Sequence, residues 1–422
     1  MNADPAARFP EQMDDCLGGA PPPAALGVAV SGGGDSMALM ALLAGWAAGR
    51  GVTLAAVTVD HGLRPEASEE AALAARQAAR FGLAHDTLKW GGWDGAGNLQ
   101  DAARRARAGL IADWATARGI AAVALGHTLD DQAETVLLRL ARGSGVDGLA
   151  GMAPRRRADG VTWLRPMLAL GRAELRDWLA AEGIPWADDP SNLDPRFDRV
   201  KARRALTALA PLGIGAGGLA ATARHMARAR RALEEAVRDA ARALARVTPT
   251  GDVEIARDGL ARLPAEIRLR LMAHALRFVA SAPYRPRLDA LERLTDAALA
   301  GRGGTLHGCR VEAGGPALAV IREAAALRDT TAQPGALWDG RWRVTGPAGA
   351  PAGLRVAALG ESGLAACPDW RETGAHRASL LASPAVWAGE RLVAAPLAAL
   401  GGGCRAVLET GGRSFADRAI TD

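Results

Sequence analysis

The chain has 422 residues, of which 49% are hydrophobic and only 4% aromatic, so it is long enough for more than one domain around cores built mostly of Leu, Ala and Val. The formal net charge of +5 is weakly basic for this size; it permits a polyanionic partner without demanding one. Cys16, Cys309, Cys367 and Cys404 lie far apart with no CxxC pair, which argues against a structural zinc site and fits a reducing compartment.

The start, MNADPAARFPEQMDD, is acidic and has no apolar core, so no signal peptide is expected. Residues 1–23 read as a flexible lead-in ending at Pro21-Pro22-Pro23. Leu26 to Val30 then reads as a short buried strand, Ser31 to Gly34 as a sharp turn, and Ser36 to Leu43 as the start of an amphipathic helix. Thr53 to Val59 predicts a second strand running into Asp60-His61-Gly62-Leu63-Arg64, followed by an Ala-rich helix over Glu66 to Arg80. His85 to Trp90 reads as a third strand, Asn98 to Arg118 as a long arginine-rich helix, and Ala121 to Leu125 as a strand leading directly to His127. This alternation predicts an α/β fold with an open, mostly parallel sheet and helices on both faces. Ser31, Asp60-His61 and His127 each follow a strand, at the carboxyl ends where such sheets bind ligands.

Asp130 is a natural N-cap for the next helix, and a glycine-rich loop runs from Arg142 to Met152. A short strand ends at Trp163-Leu164-Arg165-Pro166, an amphipathic helix covers Arg172 to Glu182, and Pro190 breaks the segment from Trp186 to Asn192. Pro211 to Gly215 marks a boundary; helices are expected over Ala220 to Leu244, Pro264 to Val279 and Arg287 to Leu299, and a hairpin or irregular piece over 302–324. From about 331 the chain turns to Trp, Gly and Pro with short Val-rich runs. The expected division is therefore 1–23, a catalytic domain over 24–208, a mainly helical domain over 209–330, and a small β-rich or α+β domain over 331–422.

The chemistry is concentrated in three segments. Ser31-Gly32-Gly33-Gly34-Asp35-Ser36 can turn backbone N–H groups toward phosphate oxygens. Its spacing is not that of a Rossmann loop, and it lacks the Gly-Lys-Ser/Thr end of a Walker A loop, so it would lean on N–H groups, hydroxyls and a metal. In the second segment, His61 and Arg64 can meet nucleotide and phosphate at a sheet edge. In the third, Asp131 and Glu134 are three apart and share a helix face, where they can hold a metal or a substrate ammonium. One histidine beside acids is a poor zinc site; Mg2+ on carboxylates and phosphate oxygens fits better.

The loop SGGGDS resembles the pyrophosphate-binding signature of the N-type ATP pyrophosphatases (PP-loop superfamily). Taken in order with DHGLR, GHTLDDQAET, RGSGVDGLAGM, WLRP and WADDPSNLDPRFDR, it resembles the tRNA(Ile)-lysidine synthase family across roughly residues 24–208. Two positions depart from the family pattern: Thr128 stands where a second histidine is common, and Val200 follows Arg199 where Asn is common. The resemblance implies a cytoplasmic ligase that uses ATP to activate C2 of the wobble cytidine in the CAU anticodon of an isoleucine tRNA. Free L-lysine then attacks through its ε-amine, and AMP and pyrophosphate are released.

Carried onto this chain, the resemblance has Ser31, Gly32, Gly33, Gly34, Asp35 and Ser36 cradling ATP, lined by His61, Arg64 and His127. It has Asp35 and Asp131 holding Mg2+, Asp131 and Glu134 binding lysine, and Arg199 meeting ATP or the charge that develops during transfer. Arginines beyond residue 209, including Arg224, Arg228, Arg230 and Arg242, and Arg341, Arg343, Arg355 and Arg371 further on, are expected to include tRNA phosphate contacts. No membrane partner is expected, and a homodimer is left open. The alternatives are another PP-loop enzyme acting on RNA, such as a tRNA thiolase, and a non-catalytic RNA-binding protein. The absence of paired cysteines weighs against the first, and the polar strand ends with Asp131 and Glu134 weigh against the second.

Overall fold

The computed structural model describes residues 4–62, 66–91, 99–188, 196–346 and 353–419, and the chain divides into two compact units, Met1–Arg230 and Arg231–Thr421. The first unit opens with helix α1 (Pro5–Leu17) and continues through β1 (Ala25–Ala29), α2 (Gly34–Ala47), β2 (Thr53–Asp60), α3 (Glu66–Arg80), β3 (Ala84–Lys89), α4 (Leu99–Ala117) and β4 (Ala122–Ala124). It then runs through α5 (Leu129–Leu140), α6 (Val146–Leu149), β5 (Arg155–Ala158), β6 (Val161–Leu164), α7 (Arg172–Ala181) and α8 (Asp198–Leu209), and α9 (Ala216–Leu244) spans the division between the units. The sheet order is β3-β2-β1-β4-β6-β5, parallel throughout except for β5 on the edge. The expected α/β fold with a mostly parallel sheet is what the chain adopts.

Alternation along the strands sorts the core. Leu26 and Val28 of β1 and Leu54 and Ala56 of β2 face one layer with α2, α3 and α7, while Ala55, Val57 and Val123 face the other with Ile111 and Trp114 of α4. The chain runs from β1 outward to β2 and β3, then returns through α4 to lay β4 on the other side of β1. The crevice between the carboxyl ends of β1 and β4 is thus the switch point of the sheet, where open α/β folds bind ligands.

Two expectations are corrected in this layer. The stretch read as a flexible lead-in holds α1, started by Asp4, whose side chain accepts from the Ala6 N–H, with Pro5 in the first turn, and closed by Gly18 at φ 62°. Phe9, Met13, Cys16 and Leu17, spaced to share one face, are buried in the core that contains α2. Helix α2 is therefore not amphipathic. Met37 to Leu43 are all buried, because the sheet covers one side and α1 and α7 cover the other.

The second unit contains the antiparallel sheet β7-β8-β11-β10-β9, formed by β7 (Ala245–Val247), β8 (Val253–Ala256), β9 (Gly304–Leu306), β10 (Cys309–Glu312) and β11 (Ala317–Arg322). The segment 302–324, expected as a hairpin or irregular piece, supplies three of these strands. Helices α10 (Arg257–Arg262), α11 (Ala265–Ala280) and α12 (Leu288–Leu299) share its core, which also takes in Phe415 and Ala416 from near the end of the chain. Two three-stranded sheets follow. One is β12 (Leu337–Trp338), β13 (Trp342–Thr345) and β17 (Arg405–Leu408); the other is β14 (Leu354–Ala358), β15 (Pro384–Ala388) and β16 (Arg391–Ala394), with α13 (Gly360–Ala365) and α14 (Arg377–Leu381) between β14 and β15. Among the described residues no single helix is long and apolar enough to cross a membrane.

Phe9 is 1% exposed in the layer that covers α2. Phe9→Ala is expected to lower the unfolding free energy by about 3 to 5 kcal/mol, read as a shifted midpoint in urea. A midpoint within error of the parent would show that α1 does not stabilise the first unit.

Candidate active site

The turn after β1 is held from several directions. The Val30 N–H donates to the Val57 carbonyl at 2.8 Å, and the Ala187 N–H donates to the Gly32 carbonyl at 2.9 Å. Gly32 sits at φ +86°, and a Cβ there would lie 3.0 Å from the Glu70 carbonyl oxygen, so both conformation and space require glycine. The Ser36 hydroxyl donates to the Gly33 carbonyl at 2.9 Å and accepts from the Ser31 N–H at 3.0 Å, bracing the turn from within. Gly33 is the N-cap of α2 and brings no side chain to it. The first N–H groups of α2, at the positive end of its dipole, are left to whatever anion approaches.

At the end of β2, the Asp60 carboxylate accepts from the Gly62 N–H at 2.9 Å, and the His61 ring stands edge-on to Trp90 at 5.8 Å. Burial, then the charge of Arg107, lowers the His61 pKa below its ordinary value. Arg64 lies outside the described residues, as do 189–195 of the WADDPSNLDPRFDR segment.

At the end of β4 the backbone must pass close to α2. A Cβ on Gly126 would lie 3.1 Å from the Asp35 carbonyl and from backbone atoms of Ser36. His127 follows, with Nδ1 buried and unpartnered among the described residues. Burial drives its pKa well below the usual imidazole range, so the ring is neutral. The N-cap of α5 is Thr128, not Asp130 as the sequence suggests. The Thr128 hydroxyl accepts from the Asp131 N–H at 3.4 Å, and the Asp131 carboxylate accepts from the Thr128 N–H at 2.9 Å. Thr128, the departure from the family pattern, therefore positions Asp131. Asp130 instead accepts from the Arg172 N–H at 2.7 Å, which ties the start of α5 to the start of α7.

Arg172 is the centre of the site. Its guanidinium meets Asp35 at 3.0 Å, Asp131 at 3.2 Å and Glu134 at 3.4 Å. From α8, Arg199 reaches Asp131 at 3.5 Å and Arg203 reaches Glu134 at 2.6 Å. Burial pushes the Asp35 carboxyl above its ordinary value in spite of Arg172. Burial pulls Asp131 the same way, but Arg172, the Thr128 N–H and Arg199 outweigh it and hold Asp131 below its ordinary value. Burial opposes the charge on Arg172 as well, and the surrounding carboxylates keep its pKa above the ordinary value. Glu134 is 1% exposed; its Oε1 takes both arginines, and its Oε2 has no partner among the described residues.

The PP-loop domain family matches residues 6–210. The chain is 53% identical over 396 residues to a tRNA(Ile)-lysidine synthase of Ruegeria pomeroyi, covering 94% of each. The chain belongs to the tRNA(Ile)-lysidine synthase family. Other relatives of the same name are 47% identical in a Bradyrhizobium species, covering 60% of this chain and 73% of that one, and 35% identical in Wolbachia pipientis, covering 75% and 76%.

Within this lysidine synthase framework, the structure brings Asp35, Asp131, Glu134 and Arg199 to one cluster, with the Ser31–Ser36 turn and His127 beside it. Arg172 and Arg203 were missed from the sequence. The available signal was the position of Arg172 in the first turn of a helix, where a cation opposes the helix dipole. Among the described residues no group of three or more His, Cys, Asp or Glu is placed to hold a metal by itself. A magnesium ion that takes one or two carboxylates and completes its shell with phosphate oxygens is compatible with Asp35 and Asp131.

Arg172→Gln leaves buried carboxylates without their shared cation and is expected to cost about 3 kcal/mol of stability. Arg172→Lys should restore only part, because the compact ammonium lacks the rigid planar fork that reaches acceptors on separate sides. Chemical denaturation measures both, and an unchanged Arg172→Gln midpoint would remove the hub. A second expectation concerns pH. The folded chain keeps His127 neutral while the unfolded chain protonates it below about pH 6.5. Its burial therefore subtracts stability as pH falls through 6.5, by up to about 1.4 kcal/mol per pH unit. His127→Asn should flatten the stability profile between about pH 6.5 and 4.5; an equally steep decline would place the proton uptake elsewhere.

Proposed function

We propose that this chain is an ATP-dependent ligase that joins the ε-amine of lysine to C2 of the wobble cytidine in the CAU anticodon of an isoleucine tRNA, through an adenylated tRNA intermediate. The observation that carries the reading is the convergence, at the switch point of the sheet, of an uncapped helix N-terminus with Asp131 and Glu134, the latter with a buried carboxylate oxygen that has no partner among the described residues. The first is suited to polyphosphate and the second to an ammonium group.

The chemistry assigns the parts. Cytidine C2 is a poor electrophile with a poor leaving oxygen, and adenylation converts that oxygen into AMP. The turn Ser31 to Ser36 and the N–H groups of α2 cradle the phosphates, with His61 and His127 lining the nucleotide. Asp35 and Asp131 would hold Mg2+ together with phosphate oxygens, and the ion would supply charge neutralisation on the pyrophosphate leaving group. Asp131 and Glu134 bind the lysine ammonium. Arg199, 40% exposed at the side of the acids, meets the charge that grows on the transferring phosphoryl group.

A lysine ammonium with a free pKa near ~10.4 must lose a proton before it attacks. Carboxylates favour its charged form, so these acids bind and orient it. His127, neutral in the fold, offers an acceptor nitrogen without adding positive charge. Residues 24–208 perform this reaction, and the region beyond 209 holds the tRNA. In that region Arg341 is 4% exposed and donates to the Gly251 carbonyl, so it is a structural cation and not a surface phosphate contact, whereas Arg371 is exposed and lies over the Trp370 ring at 4.5 Å. A cysteine-dependent thiolase is disfavoured: burial pushes the Cys16 thiol up to about 11 and the Cys309 thiol up to about 12, far from a nucleophilic thiolate.

The test is incubation of the full chain with ATP, Mg2+, labelled lysine and bulk tRNA. Label is expected in one cytidine-derived nucleoside of the CAU-anticodon tRNA. Asp35→Ala should lower tRNA-dependent pyrophosphate release by at least about a hundredfold, and Glu134→Gln should raise the lysine requirement more than the ATP requirement. Sulfur transfer, or tRNA binding without covalent label, would overturn the assignment.

A further inference from the structure

The second unit contains a cavity of about 250 Å3 that the reaction does not use. Its walls come from the C-terminal end of α11 and the loop after it, from the β12–β13 turn, from the end of β17, and from the final segment of the chain. Arg277, Arg341 and Arg418 line it, with Glu409 as the one acidic side chain. That carboxylate is engaged by Arg343 at 2.7 Å. Arg341 is likewise committed, to the Gly251 carbonyl at 2.7 Å and to Asp339 at 3.4 Å. Arg277 reaches the Ala282 and Pro283 carbonyls, in the loop after α11, only at 3.4 Å. Arg418 is exposed and lies over the Phe278 ring at 5.8 Å. A guanidinium stacked on an aromatic face keeps its N–H edge free for an acceptor. The cavity therefore offers positive charge and donors in excess of its acceptors.

Two further features narrow the occupant. The inner wall is aromatic: His274 stacks on Phe415 at 4.4 Å, and Phe278 meets the same ring edge-on at 5.2 Å. Next in the chain after Pro283, which lines the cavity, comes Tyr284, the single tyrosine of the chain and 79% exposed. An exposed aromatic ring is a stacking face for a flat partner. The volume is slightly below the range for whole drug-sized ligands; it takes a sugar and phosphate and leaves a base outside, at the rim.

We propose that this cavity holds one unpaired nucleotide of an RNA strand, its phosphate on Arg277 and Arg418 and its base stacked on Tyr284. Recognition of splayed bases by aromatic faces beside a basic groove is characteristic of single-stranded RNA, since a paired base keeps its face inside the helix. The inference rests on the reading that tRNA is the substrate, and it adds a contact remote in sequence from the catalytic residues.

The experiment uses the full chain and a CAU-anticodon tRNA transcript, with binding measured over a salt series for Tyr284→Ala, Tyr284→Phe and Arg418→Gln. Both positions are exposed, so folding is not at stake. Tyr284→Ala is expected to weaken binding about tenfold at fixed salt with an unchanged salt slope, and Tyr284→Phe to restore it. Arg418→Gln should weaken binding and reduce the slope of log K against log salt by about 0.7, as expected for one lost single-strand phosphate contact. Parent-like binding by both Tyr284→Ala and Arg418→Gln would overturn the proposal and leave the ligase reading intact. Arg418-dependent binding of inorganic phosphate or AMP, with tRNA affinity unmoved by either variant, would also overturn it by assigning the cavity to a small anion. Failure of the parent chain to bind any tRNA would overturn both readings.

Discussion

Three carboxylates drawn toward one point repel each other, and the cluster is stable only with counter-ions beside it. Arg172 is such a counter-ion, contacting Asp35 of α2 and Asp131 and Glu134 of α5. At an effective dielectric constant near 20, charges 4 Å apart interact by about 4 kcal/mol, so the position of this cation bears on the proton affinity of each acid it touches. The balance is uneven. Asp131, also bonded by Thr128 and approached by Arg199, is held as a carboxylate, while burial prevails at Asp35. Two acids in contact with one arginine are thereby separated in proton affinity by their surroundings.

The position of Arg172 depends on elements distant from the reaction. It opens α7, whose capping interaction is made by Glu174, which accepts from the Gly171 N–H at 2.6 Å. Glu174 in turn is paired at 3.1 Å with Arg8 of α1, and Arg8 also donates to the Ala169 carbonyl at 2.8 Å. The first helix of the chain therefore does two things. It covers the apolar face of α2 that carries the phosphate turn, and it fixes the start of the helix that carries the central cation. The expectation that residues 1–23 are a loose preface to the domain is overturned on both counts.

Charge in the second unit follows a different logic. Some of its arginines are paired within the unit: Arg242 and Arg246 at the surface with Asp417 and Glu254, and Arg322 with the buried Asp339. A net positive composition thus overstates the surface available to a polyanion, and the informative cations are those left facing a cavity. The return of Phe415 and Ala416 into the core of α11 and α12 builds that cavity from segments more than a hundred positions apart.

The sequence by itself determined what is local. The alternation of strand and helix, the glycine turn after β1, the polar residues at three strand ends, and the shared face of Asp131 and Glu134 all depend on periodicity and neighbour chemistry, and all are present in the fold. Even part of what was misread was locally encoded. Asp4-Pro5 and Gly18-Gly19 bracket α1, and Thr128 three residues before Asp131 has the spacing of a capping box. Only the tertiary structure decided which side of α2 would find a cover, and which arginine among many would meet the acids. Arg172 lies 137 positions from Asp35. An ion pair of that separation leaves no period or spacing in the chain; it exists because the sheet order and the packing of α7 on α2 bring two helix N-termini to the same crevice.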